Sequence, residues 1–142
     1  MSSDHVQTVN AIYQAFGRGD IPAILDCMSP DVHWEAWADN SAQRAGTPHL
    51  QPRRGRDGVM AFFNVLGGLQ IHEFKVLDVF GGTSQVAAEI VIDFTVQATG
   101  RRMRDEEMHL WTFGADGKVL RLRHYIDTAK HAWAYALEPK IA

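Results

Sequence analysis

The spacing of apolar residues changes once along this chain, from a helical period to a strand period at about the midpoint, and that single change restricts the fold to α+β. In the first half, Val6, Val9, Ile12, Tyr13 and Phe16 form a helical stripe that stops at Gly17-Arg18-Gly19, where glycine supplies the left-handed C-terminal geometry. Asp20 caps a short second helix with Pro22 in its first turn and Ile21, Ile24, Leu25 and Met28 on one face; Ser29-Pro30 ends it. Val32 to Ala38 reads as a first strand. The polar stretch from Asp39 to Arg54 reads as a long loop or lid. Asp57 opens a third helix with the stripe Val59, Phe62, Phe63 and Leu66, terminated at Gly67-Gly68.

Four longer strands follow. In the first, apolar Phe74 and Val76 give way to Leu77 and Val79, a one-residue slip of phase that a β-bulge explains and that bends a sheet. Gly81-Gly82 turns the chain, and Val86 to Ala98 and Met103 to Phe113 supply two strands. Asp116-Gly117 makes a tight turn before Val119 to Ile126. A closing helix from about Thr128 to Leu137 is capped by Asp127 or Thr128.

The bulk numbers fit one domain over residues 1–142: the composition is 46% hydrophobic and 22% charged, enough apolar surface for a sizeable core. A formal charge of −3 argues against nucleic-acid or anionic-membrane binding, where a basic excess supplies most of the affinity. Cys27 is the one cysteine and reads as a core thiol, so no internal disulfide forms. With no membrane-spanning apolar run and no signal-like start, the expected location is cytoplasmic.

Two residues interrupt apolar rows. Strict alternation puts His124 on one face with Leu120, Leu122 and Ile126, and Asp93 breaks the β-branched run Glu89 to Val96. An imidazole titrates near neutral pH and is costly to bury without a partner. A neighbouring aspartate raises its pKa, so an Asp93–His124 pair is the candidate acid/base site. Glu89, Val91, Asp93, Thr95 and Gln97 also share a face that could meet solvent. Trp34, Tyr13, Trp37, Val91 and Met108 are the candidate ligand wall. Glu107 and His109 share a strand face, and His33, His72 and His131 are present. No pair has the His-x-His or His-x-x-x-His spacing of convergent ligands, so no metal is expected. No nucleotide-binding loop or other organic cofactor motif occurs.

Five segments carry a resemblance: Ala15-Phe-Gly-Arg-Gly-Asp20, Ser29-Pro-Asp-Val-His-Trp34, Gly55-Arg-Asp57, Gly117-Lys-Val119 and Arg123-His-Tyr-Ile-Asp127. In this order and spacing the chain resembles the NTF2-like superfamily, which includes SnoaL-like polyketide cyclases, ketosteroid isomerase and limonene-epoxide hydrolase. The resemblance implies a cone-shaped α+β fold, a bent antiparallel sheet wrapped around three helices. It also implies a homodimer formed on the outer sheet face.

Compared with ketosteroid isomerase, Ala36 stands at the catalytic aspartate and Ile12 at the oxyanion tyrosine. Compared with the hydrolase, Asp93 matches one aspartate, but Val91 replaces the arginine, Ala36 the asparagine and His124 the second aspartate. Trp34 aligns with a pocket-lining aromatic. Compared with the SnoaL-like cyclases, His124 falls at the acid/base aspartate. The expected function is therefore a cofactor-independent acid/base isomerase, cyclase or lyase acting on a hydrophobic cyclic or carbonyl-bearing molecule. The alternative is a non-catalytic module that binds a small hydrophobic molecule or serves dimeric assembly.

Overall fold

The computed structural model describes residues 2–141. Helix α1 (Ser2–Arg18) ends as its glycines require: Gly19 adopts φ +70°, its N–H donates to Phe16 O, and Asp20 N–H donates to Ala15 O at 2.8 Å. The Asp20 carboxylate then accepts from Ala23 N–H at the start of α2 (Ile21–Asp26). Met28 does not continue that helix. It opens strand β1 (Met28–Ala36), with Ser29 and Pro30 inside the strand rather than before it, because Cys27 already caps the helix through its N–H to Ile24 O. The Cys27 thiol donates to Ala23 O, and burial pushes its pKa up.

The stretch read as a lid is instead packed down. It forms α3 (Ser41–Arg44), a 3₁₀ turn (Pro48–Leu50) and the two-residue strand β2 (Arg53–Arg54). Buried Asn40 accepts from the N–H groups of Ala42 and Gln43 while donating to Trp37 O, and His49 and Leu50 point into the protein. Helix α4 (Gly55–Leu66) begins two residues before Asp57.

Strands β3 (Leu69–Gly81), β4 (Gln85–Val96), β5 (Arg101–Phe113) and β6 (Val119–Tyr125) form an antiparallel meander, followed by α5 (Thr128–Ala134). The register of β3 against β4 slips between Val76 and Asp78, where the phase slip in the sequence falls, and again between Ile71 and Glu73. The sheet is mixed rather than wholly antiparallel. Its order is β2-β1-β6-β5-β4-β3, because β1 runs parallel to β6. Helices α1, α2 and α4 cover one face around Val9, Ile24, Val59, Trp34 and Trp111. Among the described residues no helix is long and apolar enough to cross a membrane.

The turn from β3 to β4 leaves no room for a side chain at Gly81. A Cβ there would stand 2.8 Å from Gln85 O and 2.9 Å from Val86 Cγ2, and a backbone oxygen cannot rotate away. Gly81→Ala is expected to destabilise the protein by about 1–3 kcal/mol, the usual cost of overpacking. An unchanged urea midpoint would contradict this.

Candidate functional site

Alternation along β5 turns Asp105, Glu107, His109, Trp111 and Phe113 inward, and all five are buried. On β6 the bulge opposite Thr112–Phe113 shifts the pattern, so Leu122 and His124 point inward while Leu120 turns out to solvent. Leu120 therefore does not share the face of His124. His109 and His124 are direct cross-strand partners, with ring centroids 5.9 Å apart.

Glu107, His109, Trp111, Leu122 and His124 form the floor of a cavity of about 80 Å³ between α1, α4 and the bent sheet. Its walls are apolar and aromatic, among them Phe16, Trp34, Phe62, Phe63, Phe74 and Phe94. At its rim Ile71 is exposed, and Leu66 and Phe74 are partly so, leaving an apolar mouth.

The floor is one hydrogen-bonded chain. Trp111 Nε1–H donates to Tyr13 Oη at 3.0 Å, and Tyr13 Oη lies 2.7 Å from His109 Nδ1. Burial raises the Tyr13 pKa far above its ordinary value, so the phenol keeps its proton and donates it to that nitrogen. The other nitrogen, His109 Nε2, therefore carries its hydrogen toward Glu107 Oε1 at 3.1 Å.

His131 Nε2 donates to Asp105 Oδ2 at 2.9 Å and faces Glu107 Oε2 at 3.3 Å. Its Nδ1 lies 2.8 Å from His49 Nε2, and His49 Nδ1 lies 3.4 Å from Tyr135 Oη. Burial opposes the charge on His131, but the hydrogen bonds to Asp105 and Glu107 lift its pKa to about 9, leaving it an imidazolium at neutral pH. Burial, reinforced by that neighbouring cation, holds His49 well below its ordinary pKa and neutral. Burial likewise opposes the charge on Glu107, yet the hydrogen bonds from His109 and His131 keep its pKa well below the usual range.

His124 stands apart. Its Nε2 is buried with no hydrogen-bond partner among the described residues, as is Trp34 Nε1, and both side chains line the cavity. Burial lowers its pKa to about 3, with His109 and His131 pushing the same way and Glu107 opposing. Two orphaned polar atoms in an apolar cavity carry a desolvation cost that a polar group of a ligand would relieve.

Of the residues singled out from sequence, His124, Trp34 and Tyr13 meet in this cavity. Asp93 does not. The inward row of β4 is Ile90, Ile92, Phe94 and Val96, so Asp93 and Val91 lie on the outer face. There Arg102 binds Asp93 through two hydrogen bonds of 2.9 and 3.0 Å, which lower its pKa. The carboxylate acting on His124 is Glu107, and the net shift of the imidazole is down rather than up. Met108 also faces outward, exposed beside Arg104 and Tyr125. Trp37 follows β1 and touches the site only through its N–H, which donates to His124 O, while its ring is outside the cavity lining.

Four lining residues, His49, Glu107, His109 and His131, and Asp105 behind them, bonded to His131, were not read as a site from sequence. Glu107, His109 and His124 offer ligating atoms that all lie within 4.8 Å of one another, as do Asp105, Glu107 and His131. Spacing along a single element misses both sets, because each is assembled across elements.

A family model for the SnoaL-like domain matches residues 9–122, and the chain belongs to that family, within the NTF2-like fold. An NTF2-like protein of unknown function from Burkholderia pseudomallei is 25% identical with a TM-score of 0.77, covering 94% of this chain and 98% of its own. One from Burkholderia xenovorans is 23% identical with a TM-score of 0.80, covering 94% and 97%. TerC, co-crystallised with polyporic acid, is 22% identical with a TM-score of 0.75, covering 94% and 98%. No curated protein matches.

Proposed function

We propose that the chain is a cofactor-independent acid/base enzyme, an isomerase, cyclase or lyase, acting on a hydrophobic ring that bears a carbonyl group. The observation that carries this reading is the orphaned Nε2 of His124 over an otherwise satisfied polar floor in an apolar cavity. Burial keeps the resting imidazole neutral but a weak base, so the Glu107 carboxylate, which raises its pKa, supports it as it takes the proton. It takes a proton from the carbon beside the carbonyl, the electron pair moves to the carbonyl oxygen, and the imidazolium returns the proton to the ring. Trp34 Nε1–H supplies a donor for the oxygen as it becomes negative, and the His131 cation in the floor favours that charge. Glu107, already electrostatically coupled to His124, stabilises the transient imidazolium. The roles of ketosteroid isomerase and epoxide hydrolase lack their residues at Ile12, Ala36 and Val91.

Proton abstraction can be followed without knowing the natural product. Cyclic ketones incubated with the protein in D₂O should gain deuterium beside the carbonyl. Polyporic acid serves as a binding probe, since a ligand in the cavity that Trp34 and Trp111 line should change their fluorescence. Binding without deuterium uptake across a ketone series would favour the alternative, a small-molecule-binding module.

A homodimer belongs to the same proposal. Met108 and Tyr125 are paired in register on the outer face and are 36% and 40% exposed, a combination that a partner's sheet would cover. Sedimentation should give twice 15.9 kDa, and Met108→Asp should give the single chain. A wild-type protein sedimenting as one chain at micromolar concentration would refute it.

A further inference from the structure

We infer that Glu107, His109 and His124 form a binding site for a divalent first-row metal ion, open to the cavity on its remaining coordination positions. The ligand set is assembled by the sheet. Glu107 and His109 are two apart on β5 and so share a face, and the register places His124 directly opposite His109 on β6. One ligating atom of each lies within 4.8 Å of the other two. His109 Nε2 and Glu107 Oε1 are 3.1 Å apart. Two donors held at 2.0–2.1 Å from a tetrahedral ion stand roughly 3.3 Å apart, so an ion fits between them with little movement.

A second observation points to a ligand at this place. His124 Nε2 is buried, belongs to a residue only 5% exposed, and has no hydrogen-bond partner among the described residues. A nitrogen lone pair held in that state is what a metal ion would use. The other triad, Asp105, Glu107 and His131, has no such vacancy, because the proton on His131 Nε2 already bridges both carboxylates.

The surroundings also suit a ligand set. Tyr13 Oη beside His109 Nδ1 can accept from that nitrogen once the ring proton moves there from Nε2, which frees Nε2 for the ion without changing the charge of the ring. The second oxygen of Glu107 is fixed by His131. Two imidazoles and one carboxylate select zinc, cobalt or ferrous iron over calcium and magnesium. This site shares His124 and Glu107 with the proton-transfer reading, and ion and proton compete for the same lone pair of His124. The inference does not depend on turnover.

The test is titration of chelator-stripped, tag-free protein with Co²⁺ near neutral pH, followed by visible absorption and calorimetry. The expected result is one Co²⁺ per chain with the d–d bands of a low-coordinate site, displaced by Zn²⁺. His124→Phe fills part of the cavity without adding a polar atom, and it should weaken binding at least ~100-fold, more than loss of an outer-shell partner. His33→Ala and His72→Ala, which alter exposed histidines, should not change it. Should His124→Phe fail to fold, His109→Gln replaces it. Folded wild-type protein with no band at excess Co²⁺ would overturn the inference, as would wild-type affinity in the histidine variant. Deuterium exchange on the metal-free protein is read separately, so failure of either idea leaves the other standing.

Discussion

His124→Ala is expected to remove deuterium exchange into bound ring ketones by at least ~10²-fold, the usual contribution of a positioned acid/base group, while the protein stays folded. The two effects separate because His124 Nε2 bonds to no described residue, so its loss strands no partner and only enlarges a cavity already present. His109→Ala is the contrasting case, since it removes the acceptor of the Tyr13 hydroxyl and the donor to Glu107 Oε1, leaving Tyr13 only its bond from Trp111 and Glu107 only its contact with His131. Asp93→Asn should leave exchange unchanged, because Asp93 is tied to Arg102 on the far face of the sheet. Exchange that survives in His124→Ala would end the acid/base reading.

The second large effect is on stability. Glu107→Gln takes one of two carboxylates from the buried His131 imidazolium, leaving Asp105 as its counter-ion, and weakens the acceptor that His109 faces; about 1–3 kcal/mol is typical for such a loss. The pH dependence of the wild type follows from the same groups. From about pH 3 to 6.5, the unfolded chain binds a proton that native His124 refuses, so stability rises with pH by on the order of 1 kcal/mol per unit. His49, also held down, acts in the same direction.

From about 6.5 to 9, native His131 keeps a proton that the unfolded chain has released, so stability falls as pH rises. These histidines together place the maximum near pH 6.5. In Glu107→Gln the upper limb should flatten, because His131 loses one of the two acceptors that raise its pKa. Urea unfolding at a series of pH values measures both, and a wild-type profile flat from 5 to 9 would contradict the assignment of charges.

The elements were legible where a local rule acts alone. The glycine stop after α1, the Asp20 cap, the bulge at Val76 and the cap at Asp127 follow from neighbours in sequence. The parallel pairing of β1 with β6 does not, since nothing within either strand specifies a partner ninety residues away. In the site, His124 stood out as a polar residue in an apolar row. Asp93 stood out for the same reason, but the fully apolar row Ile90, Ile92, Phe94 and Val96 beside it was the stronger signal for which face is inside. On β5 the inward row carries Asp105, Glu107 and His109 between Met103 and Trp111, a stretch with the composition of a solvated face. Its burial rests on charge pairing with His131 in α5 and on Tyr13 in α1, and no periodicity within one element reports that.

The parallel ladder between β1 and β6 also governs the order in which the molecule can be assembled. Met28 pairs with Val119, so β1 leaves the ribosome long before its main partner exists, and β2 offers it only Arg53 and Arg54 in the meantime. Closing a loop of that length carries an entropic penalty that no early contact repays, and contacts so far apart in sequence slow folding. The hairpins β3–β4 and β4–β5 need no such wait. A stage is therefore expected in which β3, β4 and β5 can pair while β1, though in reach of α4, still lacks the ladder that β6 supplies. The backbone of β1 thus gains its main partner only once residue 125 has emerged, and until then its edge is open to pairing with other chains.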